Sequence, residues 1–178
     1  MPKASRSIRS REAFATNLPA AVDFGLNTPA PILIIGIGNP SRGDDALGPL
    51  LIERLEALAL PDVELLTDFQ LQVEFSLDLQ ARQKVIFVDA SLDAAAPFAF
   101  SPVLAAEDTS YSSHALSPSA VLHAYQKLFG EPPPSYVLAI RGEAFELGEG
   151  LSTDAAAHLD AAINWLVEDL LLDDSNNR

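Results

Sequence analysis

The sequence predicts an α/β protein with a largely parallel sheet covered by helices on both faces. Two patterns carry that prediction. Apolar runs bounded by Gly, Pro and Asp, such as Ile32 to Ile37 and Val85 to Val88, are too continuous for strands with one wet face and read as strands buried on both sides. Between them lie stretches with helical spacing, and alternation of this kind implies right-handed crossovers that place helices over both faces of the sheet. With 178 residues, 48% of them apolar, the chain can build one full core but hardly two.

The elements follow in order. Ile32 to Ile37 is the first strand. Leu50 to Leu60 has apolar residues at helical spacing with Glu53, Arg54 and Glu56 outward, and the Gly48-Pro49 pair puts Pro near the first turn, where its missing N–H costs little. Val63 to Leu66 is a second strand ending at Thr67-Asp68, and Val73 to Leu79 a short helix. Val85 to Asp89 is the third strand, apolar until its last residue. Phe98 to Leu104, interrupted by Pro102, suits an edge strand. Ser117-Pro118 is a hydroxyl N-cap followed by Pro at the first helical position, opening a helix through Leu128 that Gly130 and Pro132 to Pro134 close. Tyr136 to Ile140 is a further strand and Ser152 to Leu172 an Ala-rich final helix. Residues 1–30, with Lys3, Arg6, Arg9 and Arg11 among Ser and Ala, are expected to be a disordered extension. The domain is expected over 31–172, with a flexible tail over 173–178.

A formal charge of −14 disfavours nucleic acid and anionic membrane surfaces, whereas a basic or metal-bearing partner is accommodated. The absence of Cys removes disulfides, thiolate metal sites and Cys nucleophiles together, and fits a cytoplasmic protein. No apolar run approaches the ~18 to 20 residues of a membrane helix, and the basic N-terminus lacks the apolar core of a secretory signal.

Ligands of open parallel sheets sit beyond the carboxyl ends of the strands. Asp45 lies just past the first strand and Asp89 ends the third, so two carboxylates from distant sequence can converge on one crevice, which His114 joins from the loop Thr109 to His114. Two carboxylates and an imidazole suit a borderline divalent cation such as zinc or nickel. Each has an ordinary alternative: Asp44 or Asp45 can favour the positive end of the following helix, Asp89 can accept from turn amides, and His114 can face solvent. Asp68, at another strand end, is a secondary candidate. His123, His158 and Trp165 read as packing residues. The Gly36-x-Gly38 turn lacks the third glycine of a dinucleotide fingerprint, Ser41 standing in its place, and Asp44-Asp45 would face a pyrophosphate with the wrong charge. Nucleophile elbow, His-Glu-x-x-His and Walker signatures do not occur.

Gly36-Ile37-Gly38-Asn39-Pro40, followed by Gly43-Asp44-Asp45-Ala46-Leu47-Gly48, the strand Val85 to Asp89, the His114 loop and Gly150-Leu151-Ser152 together resemble the hydrogenase maturation proteases. The resemblance covers Pro31 to about Leu170. It implies a three-layer α/β/α sandwich around a twisted, mostly parallel five-stranded sheet. It also implies a catalytic, metal-binding set of Asp45, Asp89 and His114, with Asp45 preferred to Asp44 as the acid nearer the helix. The implied activity is one endoproteolytic cut that removes the C-terminal extension of a nickel-iron hydrogenase large-subunit precursor after nickel insertion. Nickel would arrive on the precursor, with another divalent metal at the same site as the second possibility; the protein is expected to be a monomer. A non-catalytic nickel-binding or chaperone module is the alternative reading. Gln70-Leu71-x-x-Glu74 replaces the Gly-rich segment common in the family and, with Phe145-Glu146-Leu147-Gly148, resembles the subgroup serving soluble, NAD-coupled or related hydrogenases.

Overall fold

A computed structural model of the chain describes residues 28–107 and 116–176. Residues 1–27 of the expected extension and the loop residues 108–115, including His114, lie outside the described residues. The first strand, β1, is Ile32–Ile37; a 3-10 turn over Gly43–Ala46 leads directly into α1, Leu47–Glu56. There follow β2 (Val63–Asp68), α2 (Phe75–Asp78), β3 (Lys84–Ser91), β4 (Phe98–Pro102), α3 (Pro118–Phe129), β5 (Ser135–Arg141) and α4 (Thr153–Asn176). The five strands form one sheet in the order β2-β1-β3-β5-β4. All neighbours are parallel except β4, which runs antiparallel to β5 along one edge.

Alternation on β1 shows how the three layers form. Ile34 points to the face covered by Leu47, Leu51, Ile52 and Leu55 of α1 and by Leu159 and Leu166 of α4. Leu33, Ile35 and Ile37 point to the opposite face, beneath Val121, Leu122 and Tyr125 of α3. Both faces are dry, which is why β1 and β3 are apolar at successive positions rather than at every second one. Each fully buried Leu or Ile contributes about 1.5 to 3 kcal/mol, so the centre of the sheet is the rigid part of the molecule. Trp165 packs as expected, its ring 5.3 Å from Phe98 and 4.8 Å from Phe100, closing α4 over the edge strand.

Differences from the sequence-based boundaries have local causes. α1 starts at Leu47, three residues before the expected Leu50, because Gly48 and Pro49 sit inside its first turn. A side chain at Gly48 would collide with the Ile37 backbone and come within 2.9 Å of the Val88 carbonyl, so glycine lets the helix start directly against the ends of β1 and β3. α2 is one turn, shorter than Val73 to Leu79. α4 continues to Asn176, so the boundary drawn at residue 172 falls inside a helix. α3 begins as expected, with the Ser117 hydroxyl accepting from the Ala120 amide at 3.2 Å. Among the described residues no helix is long and apolar enough to cross a membrane.

Candidate active site

β1 sends its following helix to one face and its neighbour β3 receives its preceding helix from the other, so the sheet has its switch point between these two strands. The carboxyl ends of strands at such a point are where open parallel sheets form their ligand crevice. Gly38 leaves β1 with φ of 140°, its amide donating to the Asp68 carbonyl at 3.1 Å, and a Cβ at this position would strike the Asp45 carbonyl. Glycine is therefore required where the strand end and the 3-10 turn touch. Asn39 then folds the chain over: its side-chain oxygen accepts from the Ser41 amide at 2.9 Å and its carbonyl from the Arg42 amide at 3.0 Å. The turn returns Asp45 towards the strand, and Asp45 Oδ2 accepts from the Asn39 amide at 3.1 Å.

Asp89 approaches from β3, paired with Ala139 of β5. The Ala90 amide donates to its Oδ1 at 2.8 Å. Burial pushes the Asp89 carboxyl up; the Ala90 hydrogen bond pulls the other way, the Asp45 charge pushes up again, and the pKa settles at about 6. The Asp45 charge therefore lies close enough to be felt at Asp89. An acid with a pKa near 6 is mostly ionised at neutral pH yet more basic than an ordinary carboxylate, which suits it to accept a proton from water.

Asp44, one residue away, has a different environment. It is fully buried, and four donors reach it: the Glu143 and Ala144 amides at 2.7 and 2.9 Å and the Ser152 hydroxyl at 2.9 Å on Oδ2, and the Ser152 amide at 2.8 Å on Oδ1. Burial alone would raise its pKa, but the hydrogen bonds outweigh burial and hold it below 3.8. Backbone bonds reinforce the tie. Asp44 and Gly43 amides donate to the Ala144 and Glu149 carbonyls at 2.7 and 3.1 Å, the Gly148 amide donates to the Ser41 carbonyl at 2.8 Å, and the Arg42 guanidinium donates to the Phe145 carbonyl. Segment 143–152, between β5 and α4, is thereby fastened to the turn that carries Asp45, and it lines an open groove of about 550 Å³.

The structure thus sets Asp45 near Asp89 and gives Asp44 a separate set of partners. Asp68 ends β2 with its Oδ1 accepting from the Phe69 amide at 2.6 Å. His158 lies on α4 with Nδ1 2.9 Å from the Arg141 carbonyl, and His123 is within α3. Among the described residues no group of three metal-ligating side chains gathers. Sequence reasoning missed the role of Asp44 and of segment 143–152. Ser152 ahead of a helix was a readable N-cap signal, but the Glu143 and Ala144 amides leave no trace in side-chain identity.

No protein-family model matches the sequence, and no curated protein matches it. Solved structures do. The chain is similar to the NiFe hydrogenase maturation protease HycI from Thermococcus kodakarensis KOD1, at 26% identity and a TM-score of 0.64 over 78% of this chain and 91% of that one. It is similar to the hydrogenase maturating endopeptidase HybD from E. coli, at 25% identity and a TM-score of 0.63 over 80% and 93%. A third, an endopeptidase from Escherichia coli known from a solution structure, is 25% identical with a TM-score of 0.61 over 78% and 91%. Fold and comparisons together define an α/β peptidase. With the Gly36 to Gly48 turn in the place described above, they support assigning the chain to the hydrogenase maturation proteases.

Proposed function

We propose that the protein is the endopeptidase that removes the C-terminal extension of a nickel-iron hydrogenase large-subunit precursor after nickel insertion. The observation that carries this reading is the pairing of Asp45 and Asp89 at the switch point, in a fold whose similar structures include named hydrogenase maturation endopeptidases. His114, which precedes α3 in the sequence and lies outside the described residues, is the proposed third member.

In this reading nickel is part of the substrate, delivered already bound to the precursor. Carboxylates and an imidazole form a hard-to-borderline donor set that binds a free ion only modestly and gains most when the ion brings further ligands with it. Asp45, tied to the Asn39 amide, orients the incoming group; Asp89, with a pKa of about 6 more basic than an ordinary carboxylate, takes the proton as water attacks the scissile carbonyl. The chain has no Cys for nucleophilic attack, so direct hydrolysis is the economical route. The protein is expected to act as a cytoplasmic monomer.

The test adds the purified protein to nickel-loaded precursor and reads the precursor's C-terminus by mass spectrometry. A single cut is the expected result. An intact precursor that nevertheless binds the protein would overturn the endopeptidase reading in favour of a nickel-binding or chaperone module, and efficient cutting of rigorously nickel-free precursor would overturn the role given to nickel.

A further inference from the structure

Asp44 is the most completely satisfied charged group described in the structure, and neither the proposed chemistry nor the family resemblance gives it a task. Its carboxylate accepts from Glu143, Ala144 and twice from Ser152, residues 99 to 108 positions away, while its own amide donates to Ala144. Asp45 is the next residue on the same 3-10 turn. A carboxylate clamped by four donors cannot shift by even a few tenths of an ångström without lengthening several charge-assisted hydrogen bonds at once. The turn is therefore anchored on one side of the chain while Asp45 projects from the other.

We propose that Asp44 is a positioning residue: by fastening the 3-10 turn to segment 143–152 it fixes where the Asp45 carboxylate stands in the crevice. Alternatives for so many hydrogen bonds are weaker. Were Asp44 only capping α4, the two Ser152 bonds would suffice, and the Glu143 and Ala144 amides would have no reason to converge on it. Were it a ligand for an incoming ion, full burial would keep the ion from reaching it, and three of its four donors already crowd Oδ2. The arrangement explains the doubled acid of the sequence: the first Asp secures the turn and the second works from it.

This inference rests on the proposed function only for its kinetic readout, and a second readout is independent of it. The Asn39 amide donates to Asp45 Oδ2, so its NMR chemical shift reports where that carboxylate lies. In Asp44→Asn, which turns one acceptor oxygen into an NH2 group facing amide donors, the Asn39 amide should move in the direction in which Asp45→Asn moves it. Ser152→Ala removes one donor, keeps the carboxylate and should give a smaller shift of the same sign, which covers the case in which Asp44→Asn does not fold. For cutting, Asp44→Asn assayed well below its melting temperature should lose about 10- to 100-fold in kcat with KM changed less than about threefold, since small misplacements of a reacting group act on kcat. Leu55→Ala, a core truncation at the far end of α1, serves as the comparably destabilised control and should keep its kcat in the cold. An Asn39 amide at its wild-type position in both Asp44→Asn and Ser152→Ala would overturn the proposal, as would recovery of full kcat by Asp44→Asn in the cold. If wild-type protein itself leaves the precursor uncut, the function reading fails while the Asn39 readout still decides the role of Asp44.

Discussion

Two acidic places share the carboxyl edge of this sheet, and they have been driven in opposite directions. At the clamp, Asp44 is buried among four donors and its pKa is held down; in the crevice, Asp89 is buried with one amide bond and the Asp45 charge beside it, and its pKa is pushed up to about 6. Asp44 is the more fully buried of the two and yet its pKa falls, so the number of hydrogen bonds to the charged form is what separates them. The first acid ties the turn down, and the second is the one proposed above for the chemistry.

The comparison breaks most visibly on activity. Asp45→Asn, Asp89→Asn and His114→Ala should each reduce cutting by at least about a thousandfold, as expected for removing members of a reacting set, with the precursor's C-terminus read by mass spectrometry; normal processing by Asp89→Asn would dissolve the site. Next comes the clamp. Asp44→Ala should cost about 3 to 5 kcal/mol in urea unfolding, because three buried amides and a hydroxyl lose their acceptor together. The pH dependence follows from the sign of the shift. Since the folded pKa lies below 3.8, the Asp44 contribution is present above pH 4 and lost as pH falls through the folded value, so the gap between wild type and Asp44→Ala should narrow in acid.

The crevice should show the opposite sign. Asp89 titrates near 6 in the fold and near 3.8 unfolded, so its favourable contribution is complete below about pH 4 and is lost as pH rises through 6. Asp89→Asn should therefore melt higher than wild type at pH 8, by the equivalent of about 1 to 3 kcal/mol after allowance for partial solvent screening, and the difference should vanish below pH 4. In Asp45→Asn, the Asp89 carboxyl followed by carbon NMR should titrate lower than in wild type yet still above 3.8, because burial is the larger cause and survives the substitution. The smallest effect is expected at the N-terminus. Deleting residues 1–27 should leave melting temperature and cutting rate unchanged, since the first described ties to the sheet are the Ala30 and Pro31 carbonyls that accept from Arg82, Gln83 and Lys84.

Much of this was legible in the sequence where a single element carries its own signal. β1 begins and ends at the expected residues because its apolar run is bounded by Pro31 and Gly38, and α3 begins as expected because Ser117-Pro118 is a complete start signal. That Asp45 lies near enough to Asp89 for its charge to be felt there was expected from the strand ends. What local sequence could not carry was any feature whose cause lies across the fold. Gly48-Pro49 reads as the first turn of a helix, but that the helix already begins at Leu47 depends on β1 and β3, whose ends leave no room for a side chain at Gly48. Asp44 and Asp45 are indistinguishable as letters, and what separates them is a set of donors about 100 residues away.

That separation along the chain also bears on how the protein is made. During synthesis Asp44 emerges early, while Glu143, Ala144 and Ser152 follow only after every strand of the sheet has been translated. Until they arrive, the carboxylate can keep its hydration only by staying in water, which holds the turn away from its final place. A nascent chain shorter than about 150 residues can therefore pair β1 with β3 and still lack a finished turn. Segment 143–152 acts as a latch, and the turn that carries Asp45 is finished only once that segment has been made.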